Sequence, residues 1–371
     1  MRVLFIEDEE ESVAVVVDDL KENNHETKVE DFEFGLDRIL DYSPDIVVLD
    51  LAQYGNSAES KAPGAGVYHE IWERCFCPII IYSAYPELLA DLKEKPHPFV
   101  TLVKKGKDSP TEFAQAINRF EPHVELLRET QSRVRAELSI ALREVAPFSF
   151  GHFGTDAEGC RQSVIRSARR RLAAAMDEYV QHIELLKSWE QYIYPPVSSS
   201  PCLGDVYQRA GCPADDAESF IVILTPSCDL VCNGTRKAKV AQVLAANCVN
   251  IESGLKCLNQ HDARADKLQK FLQVNVLSHG FSKEIVPIPE LSGRIPEMFL
   301  NLKSLLLVDL NELSNQDHFR RIASIDSPFR ELISWAYLQT AARPGLPERD
   351  FDDWSKSIVA GLQRTKNVIP Q

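Results

Sequence analysis

The feature that most constrains this sequence is a short aliphatic run ending in a carboxylate, Asp45-Ile46-Val47-Val48-Leu49-Asp50. The run lies between Pro44 and a polar segment that begins at Gln53, which predicts a strand buried on both faces in a helix-covered parallel sheet. Asp50 would then lie at the carboxyl end of the strand, where ligands bind in open α/β sheets. Because a lone Asp at a strand end is also typical of a turn or helix cap, its neighbours must decide its role.

Strands and helices alternate through the first 105 residues. Apolar runs predict strands at residues 2–6, 25–29, 45–50, 78–83 and 99–103. Amphipathic patterns predict helices at 12–20, 34–40 and 67–74, the last following a loop at 53–66 rich in Gly, Ser, Ala and Pro. This alternation predicts an α/β fold, a doubly wound sheet of five parallel strands of the flavodoxin-like type.

Polar residues follow four of these predicted strands, and we expect them to meet at one edge of the sheet. They are Glu7 and Asp8, Asp50, Ser83 and Lys104. Three converging carboxylates repel one another unless a cation is present, and oxygen ligands with room for water suit Mg²⁺. A divalent ion, a hydroxyl and an ammonium would together favour phosphoryl transfer to Asp50, because that chemistry depends on positioning and charge neutralisation.

At these residues the first 120 or so positions resemble a response-regulator receiver domain. The matching motifs are Phe5-Ile6-Glu7-Asp8, Val47-Val48-Leu49-Asp50, Ile80-Ile81-Tyr82-Ser83-Ala84 and Leu102-Val103-Lys104. The resemblance implies that a sensor histidine kinase phosphorylates Asp50. It also implies that Glu7, Asp8 and Asp50 hold Mg²⁺, and that a conformational switch is relayed through Ser83. The Ser83 hydroxyl and the Lys104 ammonium could hold the remaining phosphoryl oxygens.

The sequence departs from the receiver pattern in three places. Thr101 stands where the family usually has an aromatic switch residue, three positions before the lysine, and Lys105 replaces the usual proline. The loop after Asp50 is longer than usual, through residues 56–66. These departures leave the phosphorylation chemistry in place but leave open how the receiver signals, and an atypical receiver that is switched differently, or constitutively, is an alternative.

Residues 1–122 form the predicted receiver and residues 123–195 a helical connector. Pro122 is predicted to interrupt a helix, the segment 147–159 to form a break, and residues 161–192 to be helical again. The amphipathic connector could pair with a second copy in a homodimer or pack within its own chain. Its basic cluster is read as a solvated face, and we find no helix-turn-helix pattern, so nucleic-acid binding is not expected. The cluster comprises Arg166, Arg169, Arg170 and Arg171.

Residues 196–371 predict a mixed α+β output domain that could include a small β-barrel. Apolar runs indicate strands at 204–207, 220–224, 238–246 and 272–277. The pair Gly204-Asp205 before an apolar strand faintly resembles the small barrels of toxin endoribonucleases, but a second diagnostic motif is missing. Cys228 and Cys232 are the one close pair that fits a zinc site, and we favour ordinary reduced thiols over zinc.

Composition narrows the function classes. The formal charge of -14 argues against a general polyanion-binding surface. We see no apolar run long enough to span a bilayer, and the first residues become acidic too early for a secretory signal, so we expect a cytoplasmic protein without membrane contact.

The best interpretation is a two-component response regulator, a phosphoprotein whose receiver controls the output domain. The alternatives are a receiver-gated effector enzyme of the nuclease or hydrolase type, and a protein-binding scaffold.

Overall fold

The computed structural model describes residues 1–52, 63–85, 97–180, 185–232, 236–278, 280–282, 284–342, 350, 352, 353 and 355–359. The chain divides into two compact units, residues 1–184 and 185–371. Most of the predicted loop at 53–66 lies outside the described residues. The predicted division into segments 1–122, 123–195 and 196–371 stays a prediction, although residue 122 lies within one continuous helix.

The first unit begins with the predicted alternation of strands and helices. Its elements are β1 (Arg2–Ile6), α1 (Glu10–Glu22), β2 (Glu26–Glu30), α2 (Gly35–Tyr42), β3 (Ile46–Leu49), α3 (Pro63–Arg74), β4 (Ile79–Ser83) and β5 (Val100–Lys104). All neighbouring strands are parallel, in the order β2-β1-β3-β4-β5. This confirms the predicted flavodoxin-like fold of five parallel strands, in which the carboxyl ends of β1, β3, β4 and β5 share one edge.

The central strand β3 is buried on both faces because helices cover both sides of the sheet. Ile46 and Val48 pack in the apolar cluster that contains α1 residues, whereas Val47 and Leu49 pack in the cluster that contains α2 and α3 residues. All four side chains of the strand are buried. The continuous aliphatic run of the sequence therefore encodes this two-sided packing, and it carries Asp50 to the edge of the sheet.

A 45-residue helix, α4 (Ser109–Phe153), follows β5 and runs through its two interior prolines, Pro122 and Pro147. The predicted interruption at Pro122 is wrong. Pro122 is exposed on the helix, as is Asn118 one turn earlier. The Asn118 carbonyl loses its helical donor at the proline but can bond to water instead. The first turns of α4 belong to the core of the parallel sheet, because Phe113, Ile117 and Phe120 are buried in it.

The second connector helix, α5 (Ala157–Val180), packs against α4. The two helices form a hairpin in which the hydroxyls of Ser149 and Ser163 are hydrogen-bonded at 2.9 Å. Gly154, with a φ of +54°, ends α4, so the predicted break is confined to residues 154–156. A positive φ favours glycine, which explains why the turn forms here and not at Pro147.

The second unit is built around one antiparallel sheet. Its strands are β6 (Tyr192–Ile193), β7 (Asp205–Arg209), β8 (Phe220–Ile223), β9 (Gln242–Val249), β10 (Ile285–Ile288), β11 (Met298–Asp309) and β12 (Phe319–Ile325), in the order β10-β11-β9-β8-β7-β12-β6. Its helices are α6 (Ser227–Leu230), α7 (Ile251–Cys257), α8 (Ala265–Leu272), α9 (Leu310–Ser314) and α10 (Phe329–Ala341). The mixed α+β prediction is confirmed.

The predicted strand at 272–277 is wrong, because α8 continues there into a π-helical turn, Gln273–Leu277. Val276 is buried in that turn against Leu258 and Ile285, so its apolar character reflects helix packing. Among the described strands the sheet is an open row. Its two ends nevertheless approach each other, because the Tyr192 hydroxyl in β6 donates to the carbonyl of Pro289, just after β10, at 2.7 Å. The sheet is therefore strongly curled, and a side-chain hydrogen bond connects its ends.

Candidate functional site

Asp50 lies immediately after β3, and three donors fix its carboxylate. The backbone N–H groups of Leu51 and Ala52 donate to Oδ1 at 2.6 and 3.3 Å, and the Lys105 ammonium donates to Oδ2 at 2.6 Å. The residue is only 7% exposed. A carboxylate held in this way keeps one orientation at the sheet edge, which favours attack on a phosphorus atom brought to it.

The same Lys105 ammonium joins three elements of the first unit. Besides Asp50, it donates to Oε2 of Glu7 at 2.6 Å and to the hydroxyl of Ser12 in α1 at 2.9 Å. Glu7 is 5% exposed, so this bridge between two carboxylates lies largely out of water. The positive charge offsets the repulsion between the Glu7 and Asp50 carboxylates, the task that the sequence analysis assigned to a cation.

The structure places Lys105, and not the predicted Lys104, at the carboxylates. Side chains alternate along β5: Val103 is buried in the core, whereas Leu102 and Lys104 are exposed. Lys105, the next residue, lies over the carboxyl end of the sheet. Two adjacent lysines fit the motif equally well, and only the strand register separates them. The position three residues before the site lysine is then Leu102, which like Thr101 is not aromatic.

Ser83 and Asp8 complete the predicted set at this edge. Ser83 ends β4 and is fully buried, its hydroxyl accepting from the Tyr85 N–H at 3.2 Å and its carbonyl from the Lys105 N–H at 3.0 Å. Asp8 is the second residue after β1 and is half-buried. The structure therefore brings Glu7, Asp8, Asp50 and Ser83 to one edge, together with Lys105 and Ser12, which sequence reasoning missed.

The start of α3 lies directly against the backbone of Asp50. A Cβ atom at Gly64 would overlap the Asp50 carbonyl and the Cα atom of Leu51, so only glycine fits this approach. Gly66, one half-turn later, has open space around it. Gly64 is thus a packing requirement for the segment that carries the candidate phosphoacceptor.

Burial controls the electrostatics of the site. It raises the pKa of Glu7 to about 7, with a further rise from the Asp50 charge, although the hydrogen bond from Lys105 opposes the change. Burial alone would lower the pKa of Lys105, but the hydrogen bonds and charges of Asp50 and Glu7 outweigh it and the pKa is raised. Lys105 therefore remains an ammonium at neutral pH.

The donor chemistry at this edge fits a hard cation such as Mg²⁺, since Glu7, Asp8 and Asp50 supply carboxylate oxygens from two strand ends. Within the described part of the chain, however, no group of three or more His, Cys, Asp or Glu side chains is arranged to hold a metal ion. The Lys105 ammonium stands between Glu7 and Asp50 instead. A metal ion at these carboxylates would require Lys105 to release Glu7.

A short hydrogen-bonded path leads from the site to the start of α4. Gly106, next to Lys105, accepts from the hydroxyl of Ser109 at 2.8 Å, and Ser109 is the first residue of α4. The Ser109 hydroxyl is also bonded to the buried Tyr82 hydroxyl at 2.8 Å. Lys105 lies over the Tyr82 ring, 5.6 Å from its centroid. Tyr82 therefore contacts both the site lysine and the first residue of α4.

The second unit contains a buried ion pair. Asp205, which is fully buried, accepts from the Cys202 N–H at 2.8 Å, the Ser324 hydroxyl at 2.5 Å and the Arg321 guanidinium at 3.2 Å. Burial raises the pKa of Asp205 despite these donors. The Gly204-Asp205 motif thus ties β7 to β12 and to the loop before β7, a structural role that its contacts fully occupy.

The cysteine pair of the second unit shows no metal cluster. Cys228 and Cys232 are both exposed free thiols, and among the described residues no group of three or more His, Cys, Asp or Glu side chains around them could hold a metal ion. Cys228 instead contacts Asp229, which pairs with Lys239 at 2.7 Å. Among all the residues that the structure describes, no helix combines the length and apolar character needed to cross a membrane.

Solved structures with receiver domains are similar to the amino-terminal part of this chain. The amino-terminal domain of a response regulator/sensory box/GGDEF protein from Carboxydothermus hydrogenoformans is 13% identical, with 35% of this chain and 98% of that chain covered and a TM-score of 0.27. For the PhyR receiver domain of Erythrobacter litoralis the identity is 22%, the coverage 31% and 88%, and the TM-score 0.25. NtrX from Brucella abortus is 21% identical, with coverage of 40% and 34% and a TM-score of 0.27. No family model and no curated protein matches the chain.

Proposed function

We propose that this response-regulator-like protein is phosphorylated on Asp50 and that the phosphorylated receiver controls the second unit. The observation that carries the proposal is the Lys105 ammonium held 2.6 Å from both Asp50 and Glu7 at the carboxyl edge of a receiver-type sheet. A carboxylate fixed by two backbone N–H groups and one ammonium is an oriented nucleophile. The neighbouring Ser83 hydroxyl is a second donor at the same edge.

In the proposed reaction an oxygen of Asp50 forms a bond to phosphorus while the bond from phosphorus to the donor breaks. With a sensor histidine kinase the donor is a phosphohistidine, and the leaving imidazole keeps the electron pair. Lys105 would neutralise charge on the phosphoryl oxygens, and the donors at the site act mainly by positioning. Mg²⁺ held by Glu7, Asp8 and Asp50 would supply further neutralisation of the phosphoryl charge once Lys105 has left Glu7.

The proposed signal runs from Lys105 to α4. A phosphoryl group on Asp50 competes with Glu7 for the ammonium, and a shift of Lys105 alters the Gly106–Ser109 contact at the first turn of α4. Because the buried side chains of α4 are part of the receiver core, such a shift would change how the whole helix is held. Pairing of α4 and α5 with a second copy stays a prediction.

Hydrogen–deuterium exchange of the full chain tests this switch. Treatment with acetyl phosphate and Mg²⁺ should change the exchange of peptides that cover residues 105–120, and the Tyr82→Phe variant, which cannot bond to Ser109, should show a smaller change. The Tyr85→Phe variant is the matched control, because its hydroxyl has no role in the path. Identical exchange with and without acetyl phosphate, in a protein shown to be phosphorylated, would refute control through α4.

A further inference from the structure

A small polar cavity lies at the amino end of the parallel sheet, opposite the edge that carries Asp50. Its volume is about 250 Å³. Arg2 at the start of β1 and Asp45 just before β3 line one side, and α4 contributes Arg128, Gln131, Ser132 and Arg135. These four positions have the spacing i, i+3, i+4 and i+7, which places them on one face of the helix. The cavity therefore lies between the sheet and one face of α4, within the first unit.

The charges that line this cavity do not balance. The guanidinium groups of Arg2, Arg128 and Arg135 all belong to its lining, and among the described residues Asp45 is the one acid there. Arg128 donates to both carboxylate oxygens of Asp45, to Oδ1 at 3.2 Å and to Oδ2 at 2.5 Å. Three guanidinium charges less one carboxylate charge leave two positive charges without a partner in the lining. In a chain with a formal charge of -14, this is a local reversal of sign.

Two of the three guanidinium groups are already held in position. Arg2 donates from Nη1 to the carbonyl of Tyr42 at 2.8 Å, and its guanidinium lies over the Tyr42 ring, 5.9 Å from the centroid. Arg128 is held by Asp45, which is 8% exposed and whose Oδ2 also accepts from the Arg2 N–H at 2.6 Å. Because a guanidinium has five N–H donors, these contacts leave donors on both groups for a ligand. Groups that are ordered beforehand lose less conformational entropy when a ligand binds.

We propose that this cavity binds a small phosphate-type polyanion between Arg2 of β1 and the Arg128–Arg135 face of α4. The planar fork of a guanidinium matches a pair of phosphate oxygens and donates charge-assisted hydrogen bonds to them. A diphosphate carries at least the two negative charges that the lining lacks. The volume lies below the roughly 300–1,000 Å³ of sites for drug-sized ligands, which favours a diphosphate over a larger organic anion.

The bound anion would hold α4 to the sheet at a place remote from Asp50. Val124 of α4 is buried in the apolar core of the sheet, and Arg128 and Arg135 follow about one and three turns later. An anion shared by these arginines and Arg2 would therefore add contacts to α4 beyond that core. Phosphorylation is proposed to act on the first turn of the same helix, so the two effects have separate sites and neither requires the other.

Isothermal titration calorimetry of the full chain with inorganic diphosphate, in EDTA and without Mg²⁺, tests the proposal. We expect saturable one-to-one binding that weakens as the KCl concentration rises. Arg135→Gln should bind roughly 10-fold more weakly, because hydrogen bonds to a charged group are lost. Arg170→Gln removes the same charge from the exposed basic cluster of α5 and should bind like the wild type. No binding to the folded wild type at millimolar diphosphate, or equal affinities of the two variants, would overturn the proposal.

Asp45 provides a second readout, in which binding and stability should change in opposite directions. Asp45→Asn removes the one negative charge of the lining and releases Arg128, while the amide oxygen can still accept from the Arg2 N–H. The variant should therefore bind diphosphate more tightly than the wild type, although its melting temperature should fall because an ion pair is broken. Weaker binding of diphosphate by folded Asp45→Asn would contradict an anion site at this cavity.

Discussion

The Nζ atom of Lys105 lies 2.6 Å from Oδ2 of Asp50, and this contact defines the candidate site. The lysine follows β5 and the aspartate follows β3, so the pair joins the carboxyl ends of two strands that are separated by β4. Because Asp50 and the Lys105 side chain are both largely shielded from water, the pair is much less screened than a surface ion pair.

Replacing Lys105 by methionine should lower the rate of Asp50 phosphorylation by acetyl phosphate on the order of 100-fold, the usual cost of removing one charge-stabilising donor. The Lys104→Met variant removes the same charge from the neighbouring exposed position and should retain the wild-type rate. The measurement is the time course of phosphoprotein formation on a phosphate-affinity gel. A larger loss in Lys104→Met than in Lys105→Met would contradict the assignment of the site lysine.

Gly64→Ala should distort the Asp50 segment, because the added methyl group overlaps the Asp50 carbonyl and the Leu51 Cα atom. We expect slower phosphorylation together with a lower melting temperature, since overpacking usually costs about 1–3 kcal/mol. Gly66→Ala makes the same change in the same helix with open space around it and should be neutral or stabilising. Equal melting temperatures and phosphorylation rates for the two variants would show that α3 does not press against Asp50.

Asp205 should make the stability of the second unit depend on pH. Its pKa is raised in the folded chain, so the folded state binds the proton more tightly than the unfolded state does. The stability it contributes is complete below the ordinary Asp pKa of about 3.9 and is lost as the pH rises through the raised value. Relative to the Asp205→Asn variant, the wild type should therefore lose unfolding free energy as the pH rises above the ordinary Asp pKa and through the raised pKa of Asp205.

Urea unfolding followed by tryptophan fluorescence, in a Trp72→Phe background, checks this dependence. The signal then reports on the second unit, because the remaining tryptophans, Trp189, Trp335 and Trp354, all belong to it. The exposed neighbour Arg320 offers a control, since Arg320→Gln should not alter the pH dependence. A difference between wild type and Asp205→Asn that stays constant or grows as the pH rises would contradict the predicted direction.

The flavodoxin-like fold of the first unit follows from local sequence patterns. In a continuous aliphatic run such as Val47-Val48-Leu49, both faces of the strand are apolar and are buried between two layers of helices. Such runs predict both the positions of the strands and the sheet edge where Asp50 lies. The sequence patterns did not identify which lysine contacts Asp50, because Lys104 and Lys105 are adjacent. A shift of one residue along a strand moves a side chain to the other face of the sheet. The register of β5 on β4 is a tertiary property that the motif alone does not contain.

The second unit was less predictable because its pairings are long-range. β7 pairs with β12, a partner more than 100 residues later, and Tyr192 meets Pro289 across the ends of the sheet. The prediction that Pro122 interrupts the helix was also wrong because of long-range packing. The burial of Phe113, Ile117 and Phe120 in the core of the first unit stabilises α4 on one side of the proline, and packing against α5 stabilises it on the other.

Phosphoryl incorporation at Asp50 tests the central claim most directly. The full chain should gain one phosphoryl group from acetyl phosphate in the presence of Mg²⁺, with the modification located on Asp50 by peptide mass spectrometry, and chelation of Mg²⁺ should suppress it. The Asp50→Asn variant should gain none, while the Asp45→Asn variant, altered at the opposite end of the same strand, should still be modified. Equal incorporation in wild type and Asp50→Asn, or none in the folded wild type with Mg²⁺, would contradict the account.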